Sequence, residues 1–162
     1  MIERLREIEV DAGARFRSVG LDAVADDGPP DHASLAAHIA SRTLWVAQLE
    51  SGLVVGYAAA SIVDGEGHLD QVSLIEAAAG HGIGRQLVER VGAWARSLGM
   101  HAVTLTTFRD VAWNGPYYER LGFSIVEEAE CGPELLALRV RERTSWLEIM
   151  PRVAMRKRLF HG

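Results

Sequence analysis

Cysteine is almost absent from this sequence, since Cys131 is the single one among 162 residues. One cysteine cannot form an internal disulfide, so we expect a protein of a reducing, cytoplasmic compartment. No apolar run approaches the roughly 20 residues that span a bilayer. Residues 1–7 carry charges throughout and lack the apolar core of a signal peptide. These absences predict a protein with no membrane partner.

Basic charge is also scarce, because 17 Lys and Arg face 22 Asp and Glu, for a net charge of −5. This balance argues against a nucleic-acid partner and mildly favours a cationic substrate. The histidines His32, His38, His81 and His101 show no paired spacing, so we expect no metal site. Hydrophobic residues make up 48% of the chain, and we expect one globular domain over residues 1–162.

Hydrophobic periodicity predicts an alternation of helices and strands. The predicted helices span 2–19, 34–42, 83–98, a short segment opened by Asn114, and 133–146. The predicted strands span 43–49, 53–63, 68–75, 101–107, 123–127 and 152–157. Short turns, one of them over 64–67, predict an antiparallel meander for the first three strands. The helix between the third and fourth strands predicts that these two pair in parallel.

The most informative stretch runs from Val72 to Leu87, where an apolar strand enters a loop with glycine at alternate positions. An amphipathic helix leaves directly from Gly80, Gly82 and Gly84. Glycines at a helix start let backbone N–H groups point outward together, and the helix dipole adds partial positive charge. The natural guest of such a loop is a phosphate or pyrophosphate, although a plain tight turn is the alternative interpretation.

Two common phosphate motifs do not fit this loop. A dinucleotide fingerprint counted from Gly80 would need a third glycine where Arg85 stands. A P-loop would need Gly-Lys-Ser or Gly-Lys-Thr, which does not follow.

The loop does resemble the acetyl-CoA signature of the GCN5-related N-acetyltransferase (GNAT) family, whose glycine half is matched by Gly82-Ile83-Gly84. Leu69, Val72 and Leu74 resemble the apolar spacing of that family's fourth strand. Downstream, the segment 118–123, which reads Tyr-Glu-Arg-Leu-Gly-Phe, is similar to the family's tyrosine-x-basic-x-Gly-Phe signature. The resemblance covers roughly residues 1–160.

The sequence departs from the family pattern in two places. Ala79 stands where the family usually has Gln or Arg, so one side-chain contact to the pyrophosphate is missing. Arg85 either substitutes for it or is simply solvated. The family's first strand has no counterpart before Ile2, which means either that this chain lacks it or that the true start lies upstream.

The resemblance implies an α/β fold with a mixed, mainly antiparallel sheet and helices on both faces. It implies that acetyl-CoA, as cosubstrate, binds between the strands ending near Leu74 and Thr107 and passes its acetyl group to a primary amine by direct attack. Tyr118 resembles the tyrosine that protonates the departing thiolate, although a core aromatic is its plain alternative. The implied cofactor-binding residues are Val72, Ser73, Leu74, Ala79, Gly80, His81, Gly82, Ile83, Gly84, Arg85 and Asn114.

The general base is not specified by the resemblance. His68 and Asp70 lie two apart on one strand, hence on one face, and either can take the amine proton. The alternative for both is the solvent-facing start of a strand. Gln71 points to the other face and its amide cannot act as a base.

Several alternatives stay open at this stage. Asn114 is a helix cap or a cofactor ligand, and the acidic loop of Asp26, Asp27 and Asp31 is either a solvated loop or an entrance for a cationic amine. The acceptor is a small molecule or a peptide, and a homodimer is compatible with the family. The rival functions are a non-catalytic acyl-CoA-binding domain and an acyltransferase that uses another acyl group or a hydroxyl acceptor.

Overall fold

The sheet of this protein has six strands in the order β1-β2-β3-β4-β6-β5 in a computed structural model that describes residues 1–144 and 150–160. The strands are β1 (Leu44–Gln48), β2 (Val54–Val63), β3 (Glu66–Leu74), β4 (Ala102–Phe108), β5 (Ser124–Val126) and β6 (Arg152–Arg158). The helices are α1 (Ile2–Ala14), α2 (Asp22–Ala25), α3 (His32–Ala40), α4 (Ile83–Ser97), α5 (Gly115–Arg120) and α6 (Pro133–Thr144).

The sheet is mixed and mainly antiparallel, as predicted. β1 runs antiparallel to β2, and β6 runs antiparallel to both β4 and β5. β3 and β4 are parallel, with Gly67 opposite Val103 and His68 opposite Thr104. The predicted parallel pair on either side of the long helix is therefore confirmed.

Some predicted boundaries are wrong for local reasons. The opening helix becomes a 3-10 helix at Arg15–Val19, and the short helix α2 was not predicted. The third helix starts at His32 because Asp31, assigned to a loop, accepts a hydrogen bond from the backbone N–H of Ser34 at 2.7 Å and caps it. The predicted helical segment to Trp146 is confirmed as far as Thr144, and Trp146 lies outside the described residues.

The chain divides into two compact units. The first holds Met1–Ser61 and Leu69–Val91, and the second holds Ile62–His68 with the described residues from Gly92 onward. The first unit buries Leu5, Ile8, Leu35, Val54, Tyr57 and Ala59 in one apolar cluster. The second buries Val63, Val126, Leu135 and Ala154.

A two-residue turn joins β2 to β3, where four residues were predicted. Asp64 and Gly65 both have left-handed backbone angles, with φ of 52° and 72°. The Asp64 carboxylate accepts hydrogen bonds from the backbone N–H groups of Glu134 and Leu135 at 2.9 and 3.0 Å. In return, the Glu134 side chain accepts from the Asp64 N–H at 2.8 Å. The turn thereby satisfies N–H groups at the start of α6 that have no partner within that helix.

Helix α4 buries a different stripe from the one that its periodicity predicted. Leu87 and Val91 are buried together with Val88 and Ala95, whereas Leu98 is 55% exposed and lies beyond the helix end at Ser97. Gly99 follows with a left-handed φ of 75°, as expected of a residue just past a helix end.

Candidate active site

The end of β3 carries three of the predicted cofactor-binding residues, Val72, Ser73 and Leu74. Ser73 is buried, whereas Val72 and Leu74 are half-buried. Gly56 on β2 allows this close approach, since a Cβ there would lie 2.8 Å from the carbonyl oxygen of Ser73 and closer still to Leu74. The backbone N–H of Ile75 then donates to the carbonyl of Val55 at 2.9 Å.

A short 3-10 turn and two left-handed glycines connect β3 to α4. Gly80 has a φ of 81° and Gly82 a φ of 78°, and Ala79 before them is extended. A Cβ at either glycine would meet no atom within 4 Å. Packing therefore does not require glycine here, and the backbone conformation does.

The first turn of α4 presents backbone donors next to this loop. The N–H of Gln86 is the first to close a helical bond, to the carbonyl of Gly82 at 3.1 Å. The N–H groups of Ile83, Gly84 and Arg85 precede it and have no acceptor within the helix. The first turn contains no acidic residue that would compete for them. Together with the helix dipole, these groups form a site that suits a phosphate or pyrophosphate.

The side chains of the loop add little to this backbone site. His81 is exposed, and Ala79 has no polar arm. Arg85 pairs with Glu89 one turn along the helix, at 3.0 Å, and its side chain is 68% exposed. The guanidinium therefore lies at the surface with a partner of its own, which agrees with the solvated interpretation of Arg85.

Tyr118 lies on α5 in the second unit, with 9% of its surface exposed. Its ring meets Tyr117 and Phe123 edge-on, with ring centroids 5.4 and 5.7 Å away. Gly122 adopts a left-handed φ of 98°, and the N–H of Phe123 then donates to the carbonyl of Tyr118 at 3.0 Å. The Gly-Phe pair of the sequence motif thus folds the chain back onto the tyrosine. Burial, and next the charge of Tyr117, raise the pKa of the Tyr118 phenol well above its usual value.

Asn114 occupies the N-cap position of α5, but the prediction that its side chain caps the helix is wrong. Its Nδ2 donates to the neighbouring Trp113 carbonyl at 3.1 Å, and its backbone carbonyl accepts from the N–H of Tyr118 at 2.9 Å. Its Oδ1 is buried and accepts no hydrogen bond from the described residues. An unpartnered buried acceptor at this position fits a ligand that donates a hydrogen bond.

The two candidate bases lie in different surroundings. His68 is buried, with 4% exposure, and its Nδ1 is 2.8 Å from the Thr104 hydroxyl, so the solvent-facing alternative is wrong for this residue. Asp70 is exposed, accepts from the Ser61 hydroxyl at 3.0 Å and lies 3.7 Å from Nε2 of His38. Each candidate therefore has partners on this chain.

The acidic loop before α3 also has structural partners. Asp26 pairs with Arg17, and Asp31 caps α3 as described above. Asp27 is exposed. These contacts favour a surface loop over an entrance for a cationic amine.

The structure adds one carboxylate that the sequence did not single out. Glu9 on α1 is half-buried, and it accepts hydrogen bonds from the Gln71 amide at 2.9 Å and from the Ser73 hydroxyl. Burial raises its pKa above the usual value, an effect that the hydrogen bonds from Ser73 and Gln71 oppose. The sequence did contain one signal that could have identified this residue. Glu9 follows Leu5 by four residues and therefore lies beside the buried face of α1.

The chain thus has a strand, a glycine loop and a helix start whose geometry suits an anionic ligand. The model of the acetyltransferase (GNAT) family matches residues 5–123. The chain therefore belongs to the GNAT acetyltransferase family, which confirms the resemblance.

Solved structures share this fold at low sequence identity. N-acetylglutamate synthase from Neisseria gonorrhoeae, complexed with coenzyme A and N-acetyl-glutamate, is 18% identical over 82% of this chain, with a TM-score of 0.65. Rv2747 from Mycobacterium tuberculosis, also in complex with coenzyme A, is 23% identical, with a TM-score of 0.62, and the match covers 82% of this chain and 84% of that one. Ard1 from Thermoplasma volcanium is 16% identical, with 99% of this chain and 92% of that one covered and a TM-score of 0.67. The present chain spans only 28% of the Neisseria synthase.

The family is one of acetyltransferases, and the Neisseria synthase and Rv2747 were both solved in complex with coenzyme A. Within residues 1–144 and 150–160, no helix is both long and apolar enough to cross a bilayer. In the same residues, no three His, Cys, Asp or Glu side chains are grouped as metal ligands would be.

Proposed function

We propose that this protein is an N-acetyltransferase that moves the acetyl group of acetyl-CoA to a primary amine by direct attack in a ternary complex. The observation that carries the proposal is the loop of Gly80 and Gly82, whose left-handed angles lead into the unshared N–H groups of α4. This arrangement supports binding of the coenzyme A pyrophosphate mainly by backbone donors, since Ala79 and Arg85 offer no free polar arm.

The remaining cofactor contacts follow the family pattern. The backbone of Val72, Ser73 and Leu74 holds the pantetheine arm and places a donor near the acetyl carbonyl, where negative charge develops during attack. The buried Oδ1 of Asn114 supports its assignment as a further ligand group. The loop from Ala79 to Arg85 surrounds the pyrophosphate.

Tyr118 supplies the proton for the departing sulfur. Its raised pKa keeps the phenol protonated throughout the physiological pH range, so a proton is always available for donation. No covalent acetyl-enzyme is required, because the amine attacks the thioester directly. The single cysteine, Cys131, has its pKa raised by burial, which disfavours the reactive thiolate and supports direct transfer.

The acceptor class is a primary amine on a small molecule or a peptide. The Neisseria complex with N-acetyl-glutamate supports an amine acceptor, because that ligand carries the acetyl group on nitrogen. We further propose that the protein acts in the cytoplasm, in keeping with its one unpaired cysteine.

The test measures release of the coenzyme A thiol from acetyl-CoA in the presence of polyamines, aminoglycosides, amino acids and peptides with free N-termini. We expect release that depends on one class of amine, with intersecting initial-velocity patterns and no acetylated enzyme in the mass spectrum before amine is added. Tight binding of acetyl-CoA without transfer to any acceptor would instead favour the non-catalytic acyl-CoA-binding domain. Release that follows hydroxyl acceptors would identify the other rival.

A further inference from the structure

A polar group surrounds the carboxyl of Glu9 inside the first unit. The Gln71 amide and the Ser73 hydroxyl on β3 both donate to Oε1 of Glu9. Gln71 also donates to the Ser73 hydroxyl at 2.9 Å, so the three side chains are joined to one another. Tyr57 on β2 completes the set, and we call these four residues the Glu9 cluster.

The cluster contains hydrogen-bond acceptor atoms that receive no hydrogen bond from the described residues. Oε2 of Glu9 accepts no hydrogen bond within normal distance from the described residues, since both donors end on Oε1. Tyr57 is fully buried and its hydroxyl makes no hydrogen bond to the described residues, while burial, and next the charge of the neighbouring Glu9, raise its pKa. A buried hydroxyl without a partner is unusual and indicates that a group from outside the chain completes the site.

The cluster also lacks a positive charge. The donors to Glu9 are neutral, and no Lys or Arg of the described chain forms an ion pair with it. A carboxylate held partly out of water without a counter-cation is unfavourable, which is why its pKa is raised. Tyr57 is the one titratable side chain in contact with it, and its own pKa is raised by burial and by Glu9, so it stays neutral.

We propose that Glu9 binds the ammonium group of the acceptor and takes its proton. This inference rests on the proposed function, because Ser73, which donates to Glu9, is one of the residues whose backbone would hold the thioester arm. An ammonium group supplies both missing elements, a positive charge for Glu9 and N–H donors for Oε2 and for the Tyr57 oxygen. His68 and Asp70 do not share this property. His68 offers no negative charge to an ammonium group, and Asp70 already has a basic ring, that of His38, at 3.7 Å, whereas the donors to Glu9 among the described residues are neutral.

The ammonium gives one proton to the Glu9 carboxylate, and the neutral amine nitrogen bonds to the acetyl carbonyl carbon. The carbon–sulfur bond breaks, and sulfur leaves with the bonding pair and takes a proton from Tyr118. Nitrogen loses its second proton to solvent, the Tyr118 phenol regains its proton from solvent, and Glu9 returns its own proton to solvent. The overall change is thioester and ammonium to amide, thiol and one released proton.

The binding half of the inference can be tested without turnover. The Cδ resonance of Glu9 is followed by carbon NMR in protein labelled with carbon-13 glutamate, and the Glu9→Gln variant identifies the signal. The pH titration is run with n-propylamine and, as a matched control, with propyltrimethylammonium, which carries the same charge but no N–H donor. We expect propylamine to lower the pKa of Glu9 and the control to leave it nearly unchanged. Equal titration curves with both compounds would overturn the inference.

The catalytic half uses propylamine acetylation by the whole protein. Glu9→Gln keeps an oxygen acceptor for Ser73 and Gln71 but cannot take a proton, so we expect kcat to fall about 100-fold with acetyl-CoA affinity unchanged. Glu7→Gln, an exposed neighbour on the same helix that pairs with Arg4, is the matched control and should behave as wild type. Wild-type kcat in Glu9→Gln would refute the inference and leave the proposed function intact. Failure of acetyl-CoA to bind would refute the proposed function, and the NMR titration would still decide the role of Glu9.

Discussion

Tyr118 and Glu9 are ionisable side chains that are both held away from water, and burial raises the pKa of each. For the phenol, the consequence is that a proton is always present to be donated. For the carboxyl, a raised pKa means a stronger base than an ordinary glutamate. Burial is thus the first cause of both raised pKa values.

Tyr118→Phe removes the hydroxyl and keeps the edge-on ring contacts with Tyr117 and Phe123. If the phenol protonates the thiolate, kcat falls about 100-fold while acetyl-CoA binds as before. Tyr117→Phe is the control, because it removes a hydroxyl from the neighbouring, half-buried ring. Steady-state kinetics and calorimetric titration separate the two effects, and an unchanged kcat in Tyr118→Phe would remove this residue from the mechanism.

Glu9→Gln should stabilise the folded protein at neutral pH even though it impairs transfer. The folded-state pKa of Glu9 lies above the unfolded value, so the folded state binds more protons and wild-type stability falls as pH rises through that interval. The Glu9→Gln variant has no carboxyl group to titrate at this position, so its stability does not fall over this pH interval. Thermal unfolding should show a higher Tm for the variant at pH 7 and a smaller difference at pH 4. A lower Tm at pH 7 would show that the charged carboxylate stabilises the fold.

At the scale of elements, two left-handed glycines and a helix start form the proposed anion site. The glycine spacing predicted this loop, because glycine at alternate positions is rare where the backbone does not require it. The structure places Gly80 and Gly82 in the backbone region that favours glycine. The sequence did not predict that Asp31 caps α3, or that the Asn114 side chain does not cap α5. Both depend on the rotamer that the surrounding packing selects, and local sequence does not determine it.

Gly82→Ala and Gly28→Ala form a matched pair. Both glycines have left-handed angles, of 78° and 86°, and a Cβ at either position meets no atom within 4 Å. Each substitution should therefore cost a similar 1 to 2 kcal/mol, roughly, in unfolding free energy. Only Gly82→Ala should weaken acetyl-CoA, by distorting the backbone donors of the loop. Calorimetric titration checks this, and an equal loss of affinity in both variants would trace the effect to general destabilisation.

The turn between β2 and β3 gives a prediction about stability alone. Asp64→Asn keeps a side chain that tolerates the left-handed backbone but leaves one carbonyl oxygen where two carboxylate oxygens now accept from Glu134 and Leu135. We expect a loss of about 1 to 2 kcal/mol in unfolding free energy. The exposed Asp27→Asn serves as control in urea unfolding, and equal stability of the two variants would contradict the role of Asp64 as a cap.

At the scale of the whole molecule, the family and the element order were predictable, whereas the Glu9 cluster was not. The mixed sheet, its parallel β3–β4 pair and the long helix between those strands followed from hydrophobic period and chain order. The Glu9 cluster joins α1 to β3 across sequence separations of 62 and 64 residues, as its hydrogen bonds to Gln71 and Ser73 show. Contacts of that separation leave no periodic signal, so only the folded chain reveals them.

The central claim is that the glycine loop binds coenzyme A through its pyrophosphate by backbone donors. Calorimetric titration of acetyl-CoA and of acetyl-pantetheine, which lacks the pyrophosphate, tests it directly in the wild type and in Gly82→Ala. The account predicts that acetyl-CoA binds the wild type far more tightly than acetyl-pantetheine, and that Gly82→Ala narrows the difference by weakening acetyl-CoA alone. Equal affinities of the wild type for the two compounds, or a difference that Gly82→Ala leaves unchanged, would contradict it.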